Sequence, residues 1–242
     1  MTYCVGVILD SGLVLASDSR TNAGVDQIGN YRKITVFERP GDRVIVMLST
    51  GNLSETQGVV ALLEQRAQTN QQTIWNSTSM HDVACLVGEI LREVQKRDGP
   101  YLLRHNIDAS AGFIVGGQIS GERHRLFNIY TEGNFVEATP DTPYFQNGEI
   151  KYGKPIIDRL ITYSTGLMEA AKCVLISFDS TMRSNISVGP PIDLLCYERD
   201  SLKVGFQRRL GEQDSYFSDV RERWGAGLKQ LFTDLPDPHW ED

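Results

Sequence analysis

Three places near the start of this 242-residue chain bear side chains that could do chemistry together: Thr2, Asp18 and the basic pair Arg32-Lys33. Thr2 is small enough for the initiator Met1 to be removed, which would leave a hydroxyl and a free α-amine on one residue. An α-amine has a reference pKa of about 7.7–8.0, so a neutral fraction exists near pH 7 to act as a base beside the nucleophile. A lysine between Thr2 and a carboxylate would keep its charge through that carboxylate and lower the effective pKa of the hydroxyl. Each residue also has a plainer reading. Thr2 is at home at the start of an edge strand, and Arg32-Lys33 would serve as an exposed strand end.

Strands must position these groups. Thr2–Leu9 and Leu13–Ser17 are rich in β-branched and apolar residues, and the intervening Asp10-Ser11-Gly12 is turn chemistry, so a hairpin is expected. If Gly12 ends a three-residue loop, Leu9 pairs with Leu13 and Cys4 with Asp18, which puts Thr2 and Asp18 on one face. A two-residue loop would put them on opposite faces.

A second hairpin is read from KITVFER and RVIVMLS around PGD, followed by helical GNLSETQGVVALLEQRAQ. Val83, Leu86, Val87, Ile90, Leu91 and Val94 form one apolar helical stripe. GFIVGGQI, RLFNIYT and NFVEAT return to strands. A helical pair follows, with Leu167, Ala170, Ala171, Val174, Leu175 and Phe178 on one face. The hairpin PIDLLCYER/LKVGFQRRL and the helix SDVRERWGAGLKQLF close the order. Hairpin-built sheets with helices arriving in pairs predict an α+β fold, a four-layer αββα sandwich, rather than a doubly wound parallel sheet. No linker or repeat interrupts residues 1–242, so a single domain is expected, with 234–242 a C-terminal tail ending in a Pro-rich acidic stretch around Trp240.

Composition removes several classes of function. A net charge of −7 without any Lys/Arg cluster argues against a nucleic-acid partner. The opening apolar segment has no basic leader and is broken by Asp10, so neither a signal peptide nor a membrane span is expected and the chain is placed in the cytoplasm. Cys4, Cys85, Cys173 and Cys196 lack CxxC spacing, which suits reduced core thiols. His81, His105, His124 and His239 show no paired-ligand spacing, so no metal and no cofactor are expected.

Taken in order, TYCVGV from Thr2, LASDSRTNAG with Asp18 and Arg20, YRKITVF and STGNLSETQ resemble the proteasome β-subunit superfamily of N-terminal nucleophile hydrolases, and most of all its bacterial Anbu branch, related to HslV. The resemblance is densest over the first sixty or so residues and collinear to about residue 205. It implies a threonine-type endopeptidase with Thr2 as nucleophile, Asp18 as the carboxylate, Lys33 as the charged lysine and Gly51 as an oxyanion-hole N–H. Arg20, Thr21 and Asn22 would bind extended substrate, with Asp179 and Ser184 as supporting residues. The family's accessory serine is missing, and Tyr152 falls at its place when KYGK is laid over GSGG. Implied partners are peptide or unfolded-protein substrates and further copies of the chain in a homo-oligomeric ring-like assembly. An unfoldase partner is compatible with this, though no residue identifies one. Two other functions fit the same residues: a non-catalytic ring or scaffold subunit that binds peptides, and a small-molecule amidase of the N-terminal nucleophile class.

Overall fold

In the computed structural model, which describes residues 2–22, 28–68 and 72–239, the chain opens with six strands. They are β1 (Tyr3–Leu9), β2 (Gly12–Asp18), β3 (Arg20–Asn22), β4 (Ile28–Asn30), β5 (Ile34–Arg39) and β6 (Arg43–Gly51). Helices α1 (Leu53–Arg66) and α2 (Met80–Arg104) follow, then β7 (Ala111–Ile119), β8 (Arg125–Ile129), β9 (Phe135–Glu137) and β10 (Tyr144–Gly148). The second helical pair, α3 (Ile150–Leu160) and α4 (Leu167–Ser184), leads to β11 (Ile192–Glu198), β12 (Phe206–Leu210) and α5 (Ser215–Asp234).

Two five-stranded sheets, ordered β10-β1-β2-β11-β12 and β5-β6-β7-β8-β9, pack face to face. Alternation along β1 explains why both faces of the first sheet are buried. Tyr3, Val5, Val7 and Leu9 join a core with Val174 and Phe178 of α4. Cys4 and Ile8 point the other way, into the intersheet core with Val46, Leu48 and Ile114. The predicted stripe of α2 is buried against Met47, Phe113 and Phe127 of the second sheet. The layers are therefore helix, sheet, sheet, helix, as the order of elements predicts.

Helix starts follow their capping residues. Asn52 accepts from the N–H groups of Ser54 and Glu55, Ser79 from that of Asp82, and Asp214 from that of Phe217.

The first hairpin differs from the three-residue-loop register. Leu9 pairs with Gly12 and Cys4 with Ser17, so the loop is the two-residue Asp10-Ser11. Gly12 is needed for contact rather than for the loop. Its φ is +147°, and a Cβ there would lie 1.9 Å from the carbonyl oxygen of Tyr197 on β11. With this register Asp18 alternates onto the face of Val14 and Ala16, not onto that of Cys4. Strand alternation therefore does not bring Asp18 to Thr2, and the site is assembled by other contacts.

Candidate active site

Two strands hold Thr2 in place. Tyr3 pairs with Gly148 of β10, and the Thr2 carbonyl accepts the N–H of Glu149 at 2.8 Å. On the other side, the Tyr3 N–H donates to Asp18 Oδ1 at 3.0 Å. The Tyr3 ring is anchored in the core, where its hydroxyl meets Ser177 Oγ at 3.1 Å and its face packs edge-on with Phe178. Tyr3 thus sits in the sheet, and Thr2 before it is only 8% exposed.

Asp18 overcomes the alternation at the very end of β2. Its Oδ1 accepts from the Tyr3 N–H and from Lys33 Nζ, the latter at 2.7 Å. Lys33 also donates to the Arg20 carbonyl at 2.7 Å, while its own carbonyl accepts the Ser49 N–H at 2.8 Å. Lys33 and Asp18 are both buried, and they form an ion pair beneath the first strand. Burial pushes the Asp18 carboxyl above its ordinary range. The Lys33 ammonium, with the N–H groups of Tyr3 and Gly189, pulls it back in part. Cys4 is also nearby, with Sγ 3.6 Å from the Ser49 carbonyl, but burial raises its thiol far above neutrality and leaves it protonated.

A cleft of about 500 Å³ opens over Thr2, walled by Thr50, Gly51, Asn52, Asp108, Ser110, Gly148 and Glu149. Gly51 ends β6 with φ +91°, and a Cβ on it would come within 2.2 Å of the Ser110 carbonyl oxygen. Replacing Gly51 by Ala is expected to cost about 1–3 kcal/mol, seen as a Tm lower by several degrees, and to distort this wall of the cleft. An unchanged melting curve would show that the turn accommodates a side chain.

The other expected site residues are placed differently. Arg20 points its guanidinium away from the cleft and donates from Nη1 to the Ile186 carbonyl at 2.6 Å, so it contributes its backbone carbonyl to Lys33 rather than a side chain to substrate. Thr21 is half-buried in β3 with a hydroxyl that has no hydrogen-bond partner among the described residues, and Asn22 pairs through its backbone with Ile28. Asp179 is buried on α4 and accepts from Arg183 Nε at 2.9 Å and Arg221 Nε at 2.7 Å, fastening α4 to α5. Ser184 ends α4 and lines a separate cavity with Arg20. Neither Asp179 nor Ser184 lines the Thr2 cleft.

Tyr152 does not occupy the position beside Thr2. It lies in the first turn of α3 under the Lys151 ammonium, and the segment that touches Thr2 is Gly148-Glu149. Sequence reasoning names only Thr2 and Gly51 of the cleft wall, and it misses Glu149 because β10 itself goes unrecognised in the polar stretch Tyr144–Gly148.

The chain is 50% identical to Anbu (ancestral β-subunit) from Yersinia bercovieri, with a TM-score of 0.94 over 99% of this chain and 100% of that one. The chain belongs to the Anbu family. A second Anbu structure, described as the helical assembly of the Anbu complex from Pseudomonas aeruginosa, is also 50% identical, with a TM-score of 0.94 and 98% coverage of both chains. A proteasome subunit beta from Methanococcus aeolicus is 22% identical over 87% of this chain and 90% of its own. No family model matches the chain. The Anbu relationship accounts for the N-terminal nucleophile hydrolase-like sandwich. Among the described residues, no helix is long and apolar enough to cross a membrane.

Proposed function

We propose that this Anbu chain is a threonine-type peptidase of the N-terminal nucleophile class that works in the cytoplasm within a homo-oligomeric assembly. The observation that carries this reading is the buried Lys33–Asp18 pair, which lies beneath the strand that Thr2 precedes, with Gly51 on the same cleft. After loss of Met1, the Thr2 amine, directly or through one water, takes the Oγ proton as Oγ bonds to a peptide carbonyl carbon. The Gly51 N–H stabilises the resulting oxyanion, and Lys33 supplies positive charge close to the nucleophile. The proton passes to the departing amine as the C–N bond breaks, leaving an ester on Thr2 that water hydrolyses. Substrate adds an extended strand beside Thr21 and Asn22, so that backbone contacts give affinity for many sequences.

The proteasome β-subunit relatives and the assembled Pseudomonas Anbu support this reading at the level of the family. The free, mostly buried thiols suit a reducing compartment. The far half of α5 supports self-association: Leu228, Leu231 and Phe232 follow helical spacing and are exposed, Phe232 by 79%, and the exposed Leu235 follows directly after the helix. Phe232→Asp is expected to weaken assembly at least about tenfold in sedimentation velocity without changing the Tm. Unchanged assembly would remove α5 from the interface.

Intact mass of protein purified from cells, together with turnover of a fluorogenic peptide set, tests the peptidase reading. A mass lacking one methionine and measurable hydrolysis are expected. Retained Met1 with no turnover would leave an assembly subunit, and turnover of small amides alone would make it an amidase.

A further inference from the structure

We propose that the Glu149 carboxylate is the ionic partner of the Thr2 α-amine and sets the pH at which that amine can accept the hydroxyl proton. This rests on Thr2 being an N-terminal nucleophile. Glu149 follows the β10 residue that pairs with Tyr3, its N–H is bonded to the Thr2 carbonyl, and it lines the same cleft as Thr2. As the residue preceding α3, it stands where a carboxylate ordinarily accepts the first helical N–H groups, yet it makes no capping bond. It also forms no ion pair or side-chain hydrogen bond among the described residues. A half-buried carboxylate left out of its own helix cap lacks a partner, and loss of Met1 places a cation on the residue it already touches through the backbone.

The surrounding charges leave that pairing open. Lys33 is committed to Asp18 and to the Arg20 carbonyl. Asp108, on the opposite wall, is bonded by the Ser110 N–H and hydroxyl, which hold its carboxyl below the usual range, so it adds negative charge to the cleft. Lys151, on the first turn of α3, lies over the Tyr152 ring.

Two consequences follow from a carboxylate beside the amine. It favours the ammonium form and so raises the pH needed for a neutral base. It also stabilises the ammonium formed when the amine takes the Oγ proton, until that proton leaves with the departing amine of the substrate.

The test uses protein produced with Thr2 as its first residue, in wild-type, Glu149→Gln and Glu149→Asp forms. The pH midpoint for acylation of the Thr2 amine by a small anhydride is read by mass spectrometry of the N-terminal peptide. The wild-type midpoint is expected above the ordinary range of about 7.7–8.0. Glu149→Gln should lower it by roughly half to one pH unit, and Glu149→Asp should keep it near wild type. In peptide hydrolysis, the acid limb of kcat/KM should move down by the same amount in Glu149→Gln, with kcat reduced and KM unchanged. Equal acylation midpoints in wild type and Glu149→Gln would overturn the pairing. Absence of hydrolysis alongside a shifted midpoint would overturn the peptidase reading instead and leave the pairing standing. If Glu149→Gln folds poorly, Glu149→Asp decides: a midpoint that falls to the ordinary amine range despite the retained charge would also reject it.

Discussion

Thr2→Ala is expected to abolish peptide hydrolysis, by at least about a thousandfold in kcat, while fold and assembly remain intact. Ala is also small, so Met1 would still be removed and the α-amine retained. The variant therefore deletes the nucleophile without deleting the base. The backbone bonds that fix this residue, from Glu149 to its carbonyl and from Tyr3 to Asp18, do not involve the Thr2 side chain. The loss in stability should stay within about 1 kcal/mol, the ordinary scale for a small side-chain truncation. Thr2→Ser, which keeps a hydroxyl, should retain measurable turnover. Hydrolysis undiminished in Thr2→Ala would mean that another group attacks the substrate, and the buried, protonated Cys4 thiol is a poor candidate for that role.

The second large effect is expected at Lys33. Lys33→Met leaves the fully buried Asp18 carboxylate without its counter-charge, and breaking a buried pair from one side typically costs about 3–5 kcal/mol. Activity should be lost as well, because the charge close to Thr2 goes with it. The double variant Lys33→Met/Asp18→Asn should recover most of the stability but none of the activity. The two measurements separate architecture from chemistry.

The pH dependence has a definite sign. Burial raises the folded-state pKa of Asp18, so its contribution to stability is fully present below the unfolded carboxyl range and is lost as pH rises through the folded value. Removing the Lys33 charge strengthens that effect. The destabilisation of Lys33→Met should therefore shrink as pH is lowered from 8 towards 5, as read from urea midpoints. A constant deficit would mean that lost packing of the lysine chain, and not the stranded carboxylate, is responsible.

Much of the architecture is legible because its signals are local. The α2 stripe from Val83 to Val94 is long, strictly periodic and buried along its length. The hairpin around Pro40-Gly41-Asp42 is flanked by strongly β-forming runs and pairs in the register their alternation implies. The first hairpin is harder to read, because Asp10-Ser11-Gly12 suits either of two loop lengths. The register seen places Gly12 against the Tyr197 carbonyl of β11, nearly two hundred residues away, a contact that no local pattern announces.

The same distinction governs the site. Asp18 and Lys33 are both legible as candidates, but the bond between them depends on how β2 ends and β5 begins, not on alternation. Arg20 has the right type and neighbourhood for a substrate contact, yet a turn beyond α4 claims its guanidinium. β10 escapes notice because Tyr144–Gly148 is a short, partly exposed edge strand without clear alternation. With it goes Glu149, whose position beside Thr2 exists only once that edge pairs with β1.

The claim that one residue supplies both nucleophile and base is tested most directly by mapping the adduct of a peptide epoxyketone, a warhead that closes a ring only with a hydroxyl and an amine carried on the same residue. Tandem mass spectrometry should find the ring on Thr2, at the first position of a chain lacking Met1. Protein that stays unmodified at Thr2, or carries the label at any other side chain, would contradict it.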